Sequence, residues 1–177
     1  MGLFNRKKRT EAQVSVKVEV RDDDSTFDKE AYLASRRLWD ECQADAEYQS
    51  DLNTFYALLT HIREMYSVIG SVGSFSDEAG GRLIDSCAEA IEIEEKIREK
   101  REYYENTHFE MSEPRKTLAM IYEKRGDYEH AANVCAFAIR SGYPKDGTDG
   151  GMRGRMARMI KKGNLPLTDA YKEVLGL

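Results

Sequence analysis

From Phe27 onward the apolar residues return at steps of three and four rather than two, the spacing that collects side chains on one face of an α-helix. Residues 25–51 predict a first helix, capped by Ser25 or Thr26, with Ala31, Leu38, Cys42 and Ala46 near one face. Trp39 sits beside that stripe and is expected to anchor the core. A second helix should run from about 53 to 69 before "GSVGSFSD" interrupts it, and Ser76 or Asp77 can cap a third that reaches about 105. At about 1.5 Å per residue that third helix spans about 40 Å. Its charged second half, "EEKIREKREYYE", either projects into solvent or packs against whatever covers Ile97, Tyr103 and Tyr104. Pro114 fits the first turn of a fourth helix, Asp127 opens a fifth, and Gly142, Pro144 and Gly147 close it. A basic helix over 152–162 and a short last one, "DAYKEVL" after Thr168, complete an all-α expectation.

One segment departs from this period. Val14, Val16, Val18 and Val20 alternate with polar residues, as a half-buried strand would. No other stretch offers a strand to pair with it, and a lone strand leaves its backbone groups unmet. Residues 1–25 are therefore expected as a tail, either disordered or paired with another chain, including a second copy, by strand addition. Residues 26–163 form the helical domain, and 164–177 a C-terminal tail with its short helix.

Composition sharpens the picture without changing it. Of 177 residues, 41% are hydrophobic and 33% charged, against about 45–50% and about 25% in an average globular chain; long solvated helix faces explain the difference. No apolar run approaches the about 20 residues that span a bilayer, and "MGLF" is too short for a signal-peptide core, so no membrane and a cytoplasmic location are expected. Gly2 lacks the Ser or Thr that myristoylation wants where this chain has Arg6. Cys42, Cys87 and Cys135 are too widely spaced for a disulfide framework or a zinc site, and His61, His108 and His130 have no partner at ligand spacing, so neither metal nor cofactor is expected.

Two five-residue stretches, "CAEAI" from Cys87 and "CAFAI" from Cys135, lie 48 residues apart and differ at one letter. The second belongs to a segment, 112–145, in which Leu118, Ala119, Tyr122, "GDYEHA", Ala131 and Ala138 fall at the positions of a 34-residue helix-turn-helix unit. This segment resembles a tetratricopeptide repeat, with Arg115 in place of the usual Trp and Pro144 one residue late. Ile62, Tyr66 and Gly70 stand 56 residues before Leu118, Tyr122 and Gly126, so a degenerate copy with a turn eight residues longer lies upstream, over about 54–95. A fainter echo joins "LWDEC" at Leu38 to "LIDSC" at Leu83. The resemblance implies a stack of helix pairs with a C-terminal capping helix and a groove lined by the first helix of each pair. It puts Lys116, Thr117, Met120 and Lys124 in that groove, with Thr60, His61 and Glu64 as counterparts. Some members of the family clamp a C-terminal carboxylate with paired Asn and basic residues; Thr117 and Met120 occupy the Asn places here, so a different ligand is expected, the chain's own "LTDAYKEVLGL" among the candidates.

No Ser, Thr or Cys lies in a recognisable activation motif, and the resemblance implies binding without a reaction, to a partner protein or peptide. Self-association through Val14 to Val20 or through the C-terminal tail is a variant of the same expectation. Charge supplies the alternative. Residues 1–111 carry a net −9 and 112–177 a net +4, and "MRGRMARMIKK" contains no acid. Arg153, Arg155, Arg158 and Lys161, after the glycine-rich "DGTDGG", could bind an anion or nucleic acid phosphate. The spacing matches neither phosphate-binding fingerprint and the sequence pI is about 5.4, so nucleic acid ranks below a protein partner.

Overall fold

The computed structural model describes residues 28–72, 74–105 and 109–177. These form seven helices and no strand: α1 (Lys29–Ala44), α2 (Ala46–Val72), α3 (Glu78–Glu105), α4 (Glu113–Arg125), α5 (Tyr128–Arg140), α6 (Gly151–Gly163) and α7 (Asp169–Leu175). The all-α expectation holds. No helix among the described residues is long and apolar enough to cross a membrane. The valine segment, the proposed Ser25 and Thr26 caps and His108 lie outside the described residues.

Asp28 caps α1, its Oδ1 accepting from the Glu30 and Ala31 amides at 3.0 Å. The first predicted helix is in fact two. Asp45 leaves the helical region at ψ 85°, and its Oδ1 accepts from the Tyr48 amide at 2.9 Å, which starts α2 at Ala46. The same carboxylate accepts from Lys100 Nζ at 3.0 Å and the Tyr104 hydroxyl at 3.0 Å. The corner between α1 and α2 is thereby fixed to the end of α3. The capping amide at Tyr48 and then Lys100 hold the Asp45 carboxyl below its ordinary pKa.

Only the C-terminal end of α1 is covered, through Cys42 and partly Leu38. Trp39 is 59% exposed, which corrects the expectation of a core anchor: α1 touches α2 and α3 near their ends, and among the described residues no element covers Trp39. Gly70 also differs from its counterpart. Gly126 ends α4 in the left-handed region at φ 74°, whereas α2 continues through Gly70 to Val72.

Two apolar clusters follow. The first joins α2 and α3 with Leu118 and Ile121, around Phe55, Ile62, Leu83, Cys87, Ala90 and Ile97. The second joins α5, α6 and α7 with Ala119, around Ala131, Cys135, Ala138, Met152, Met156 and Met159. Tyr122 and Val134 touch both. Positions 48 apart share their fate, since Leu83 and Ala131, Cys87 and Cys135, and Ala90 and Ala138 are all fully buried. A short turn joins α4 to α5, closed by Asp127 N to Tyr122 O at 2.9 Å and Gly126 N to Glu123 O at 3.1 Å. The segment after 163 is no separate tail. Tyr171 and Val174 are buried in the second cluster, and the Tyr171 hydroxyl donates to Asn133 Oδ1 at 2.8 Å. It therefore caps α5 and α6 and does not fill a groove on α2 and α4.

Candidate functional site

α2 and α4 are joined at one end by Arg63, whose Nε and Nη2 donate to the two Glu113 oxygens at 2.6 and 2.5 Å. That pairing holds the Glu113 carboxyl below its usual range. On α2, Thr60 and Glu64 share a face with Arg63, and His61 lies beside them; all three are exposed. On α4, the row that begins at Glu113 continues through Lys116, Thr117, Met120 and Lys124 at steps of three and four. Lys124 is exposed and the other three are half-buried. The Thr60 hydroxyl donates to the Tyr56 carbonyl of its own helix at 3.0 Å, so it offers a partner mainly its methyl and an acceptor. Lys116 leans toward the loop after α5, its Nζ 3.5 Å from where a Cβ on Gly147 would stand. The seven residues of the expected groove thus lie on two neighbouring helices.

The basic helix fares differently. Arg155 is enclosed: its Nε donates to Asp146 Oδ2 at 2.9 Å and its Nη1 to Glu123 Oε2 at 3.0 Å. Asp146 is itself fully buried and also accepts from the Thr148 amide and hydroxyl, at 3.0 and 2.6 Å. The buried anion of the glycine-rich loop is therefore a carboxylate of this chain, and Arg155 is its counter-ion. Arg153 Nε donates to the Val174 carbonyl at 3.1 Å, and Lys162 pairs with Glu123 at 2.7 Å. Arg153, Arg158 and Lys161 remain exposed, so of the four residues of the suggested anion site Arg155 is the one taken up inside the chain. Burial opposes ionisation of Glu123 and Asp146, yet the cations around Glu123, and Thr148 with Arg155 around Asp146, hold both carboxyls below their ordinary values.

A second concave feature escaped the sequence reading. A cleft of about 230 Å³ opens between α2, the C-terminal half of α3, residues 109–113 and the end of α5, with Phe55, Tyr56, Phe109 and Tyr143 among its walls. Arg98 and Arg101 line it too. The Arg101 guanidinium lies 4.0 Å from the Phe109 ring centroid and about 6 Å from those of Phe55 and Tyr56. Behind the cleft, Arg115 is 0% exposed and pairs with Glu94 and Glu95. Its guanidinium stacks 4.5 Å from the Tyr143 ring centroid, and the Ser112 hydroxyl donates to Glu94 at 2.6 Å. Burial pushes the Glu94 carboxyl above its usual pKa, with Ser112 and Arg115 opposing.

Among the described residues no cluster of three or more His, Cys, Asp or Glu could hold a metal ion. The three cysteines are free and buried, and burial pushes the Cys87 and Cys135 thiols to about 12, far from the thiolate that reacts or ligates. The His130 ring stacks on Tyr122, with Nδ1 2.8 Å from Asp127 Oδ1. Comparison with protein-family models, with curated proteins and with solved structures finds no match for this chain.

Proposed function

We propose that the chain is a non-enzymatic interaction module, a tetratricopeptide-like adaptor or scaffold that holds a partner protein or peptide against the face shared by α2 and α4. The observation that carries this reading is the Arg63 to Glu113 pairing at 2.5 Å, which sets the row of Thr60, His61 and Glu64 beside the row of Lys116, Thr117, Met120 and Lys124. The matched burial of positions 48 apart supports a repeated helix pair beneath that face. The Asp146 to Arg155 pairing disfavours the alternative, an anion or nucleic-acid site over 147–162. The reading goes with a cytoplasmic location, where three unpaired cysteines are ordinary.

Lys116→Glu with Lys124→Glu reverses the charge of the α4 row at two partly or fully exposed positions. Affinity capture from the native cell, washed at low and high salt, should recover a protein with the parent chain and lose it about tenfold or more with the double variant, whose circular dichroism is unchanged. Equal recovery by both chains would move the site off α4. Nucleic acid released by salt, with no protein retained, would replace this reading with the alternative.

A further inference from the structure

We infer that the cleft between α2, α3 and residues 109–113 is a binding site for a small free carboxylic acid with an apolar, preferably aromatic, body. This goes beyond the adaptor reading and does not rest on it, because the cleft shares none of the seven residues of the α2 and α4 face.

Arg101 is the reason. It is 9% exposed, yet among the described residues its guanidinium makes one hydrogen bond, Nη2 to the Tyr56 hydroxyl at 2.7 Å. Its Nε is enclosed without a hydrogen-bond partner and forms a long ion pair with Glu105 Oε2 at 3.5 Å. A guanidinium carries five N–H donors. One of them, at Nε, is removed from water without a hydrogen-bond acceptor, which is costly, and an anion in the cleft that Arg101 lines would give the guanidinium charge-assisted acceptors.

The other charges around the cleft have partners. Glu94 belongs to Arg115 and Ser112, Glu113 to Arg63, and Arg98 to Glu95 at 3.0 Å and the Ser141 carbonyl at 3.4 Å. Glu102 stands exposed at the rim, and a carboxylate there disfavours a ligand with a second negative charge. Four rings stand among the walls, and Arg101 already lies against three of them, in the place a ligand cation would take. The volume, about 230 Å³, is below the roughly 300–1,000 Å³ of drug-sized or cofactor sites. A single ring bearing one carboxylate fits both limits.

The test titrates the isotope-labelled full chain with 3-phenylpropionate and with its uncharged amide, following amide resonances by NMR. The acid should shift residues around Phe55, Arg101, Phe109 and Tyr143 and saturate with a Kd of about 0.1–1 mM, and the amide should bind at least about tenfold more weakly. Arg101→Gln should weaken the acid by about tenfold and leave the amide unchanged. Because that variant also removes a buried stacking partner, the comparison of acid and amide on the unaltered chain stands as the primary readout. Equal shifts by acid and amide, or none up to about 20 mM, would overturn the inference. Tighter binding by a capped Gly-Phe-Glu-Gly peptide than by the free acid would overturn the assignment to a free acid and place a partner's acidic side chain there.

Discussion

Arg115→Met keeps most of the side-chain volume at a fully buried position and removes only its charge and donors, so it isolates the ion cluster on which α3 and α4 meet. Arg115 faces Glu94, which is 6% exposed, and the more open Glu95. Without the guanidinium, Glu94 retains among the described residues the Ser112 hydroxyl and the more remote charge of Arg101. Leaving one partner of a buried pair uncompensated costs about 3–5 kcal/mol. At about 2–4 °C per kcal/mol for a chain of this size, the melting temperature should fall by about 6–20 °C. Adding Glu94→Gln removes the stranded charge, so the double variant should regain at least about 1 kcal/mol. The loss should also depend on pH. Burial already raises the folded pKa of Glu94 above its unfolded value, and removal of Arg115 raises it further. A carboxyl of that kind favours the folded state below its unfolded pKa, and the benefit is lost as pH rises through the folded pKa. The deficit of Arg115→Met should therefore be larger near pH 8 than near about pH 5. Thermal unfolding followed by circular dichroism measures all three quantities. A shift below about 2 °C, strictly additive single variants, or one deficit at both pH values would refute the reasoning.

Other consequences are as direct. Gly80→Ala would put a Cβ 2.0 Å from the Phe75 carbonyl oxygen, so it should cost about 2 kcal/mol or more in unfolding free energy; Gly81→Ala, with nothing within 4 Å, should be neutral or stabilising by up to about 1 kcal/mol. Glu123 and Asp146 have folded pKa values below their unfolded ones, so they stabilise the chain above those unfolded values. That support is lost as pH falls through the folded values, and Glu123→Gln should flatten the acid limb of a plot of stability against pH. Trp39, the one tryptophan and 59% exposed, should emit as a solvated indole and be quenched by iodide without unfolding. A shielded, blue-shifted emission in the isolated chain would show that something covers α1.

The fold was legible where apolar period and punctuation agree. Pro114, Gly126, Asp127 and Thr168 each mark a helix end that the structure uses. The division of the first helix was not, because Asp45 sits in a charged run whose local pattern favours continuation. What breaks the helix there is a carboxylate that caps Tyr48 while accepting from Lys100 and Tyr104, more than 50 residues away. Trp39 misled for the opposite reason: a large apolar residue near a stripe reads as core, but burial needs an element above it, and α1 has none among the described residues.

The arginines of the interior were legible in principle and were missed. Arg115 precedes Leu118, Ala119 and Tyr122 by three, four and seven residues; Arg155 lies between Met152, Met156 and Met159; Arg101 follows Ile97 by four. Each charge occupies the register of a buried stripe. Such a position forces a choice between an interrupted core and a partner brought from elsewhere in the chain. The partners were invisible to any local pattern, since Glu94 is 21 residues from Arg115 and Glu123 is 32 from Arg155. A charge on an apolar stripe is thus the sequence signal, and its meaning depends on whether the chain supplies the counter-charge. Arg155 has two carboxylates and stiffens α4 against α6, and Arg115 has two and joins α3 to α4. Arg101 has one carboxylate, Glu105 at 3.5 Å, and a cleft, and that difference turns the same structural device into a place where an outside anion completes the arrangement.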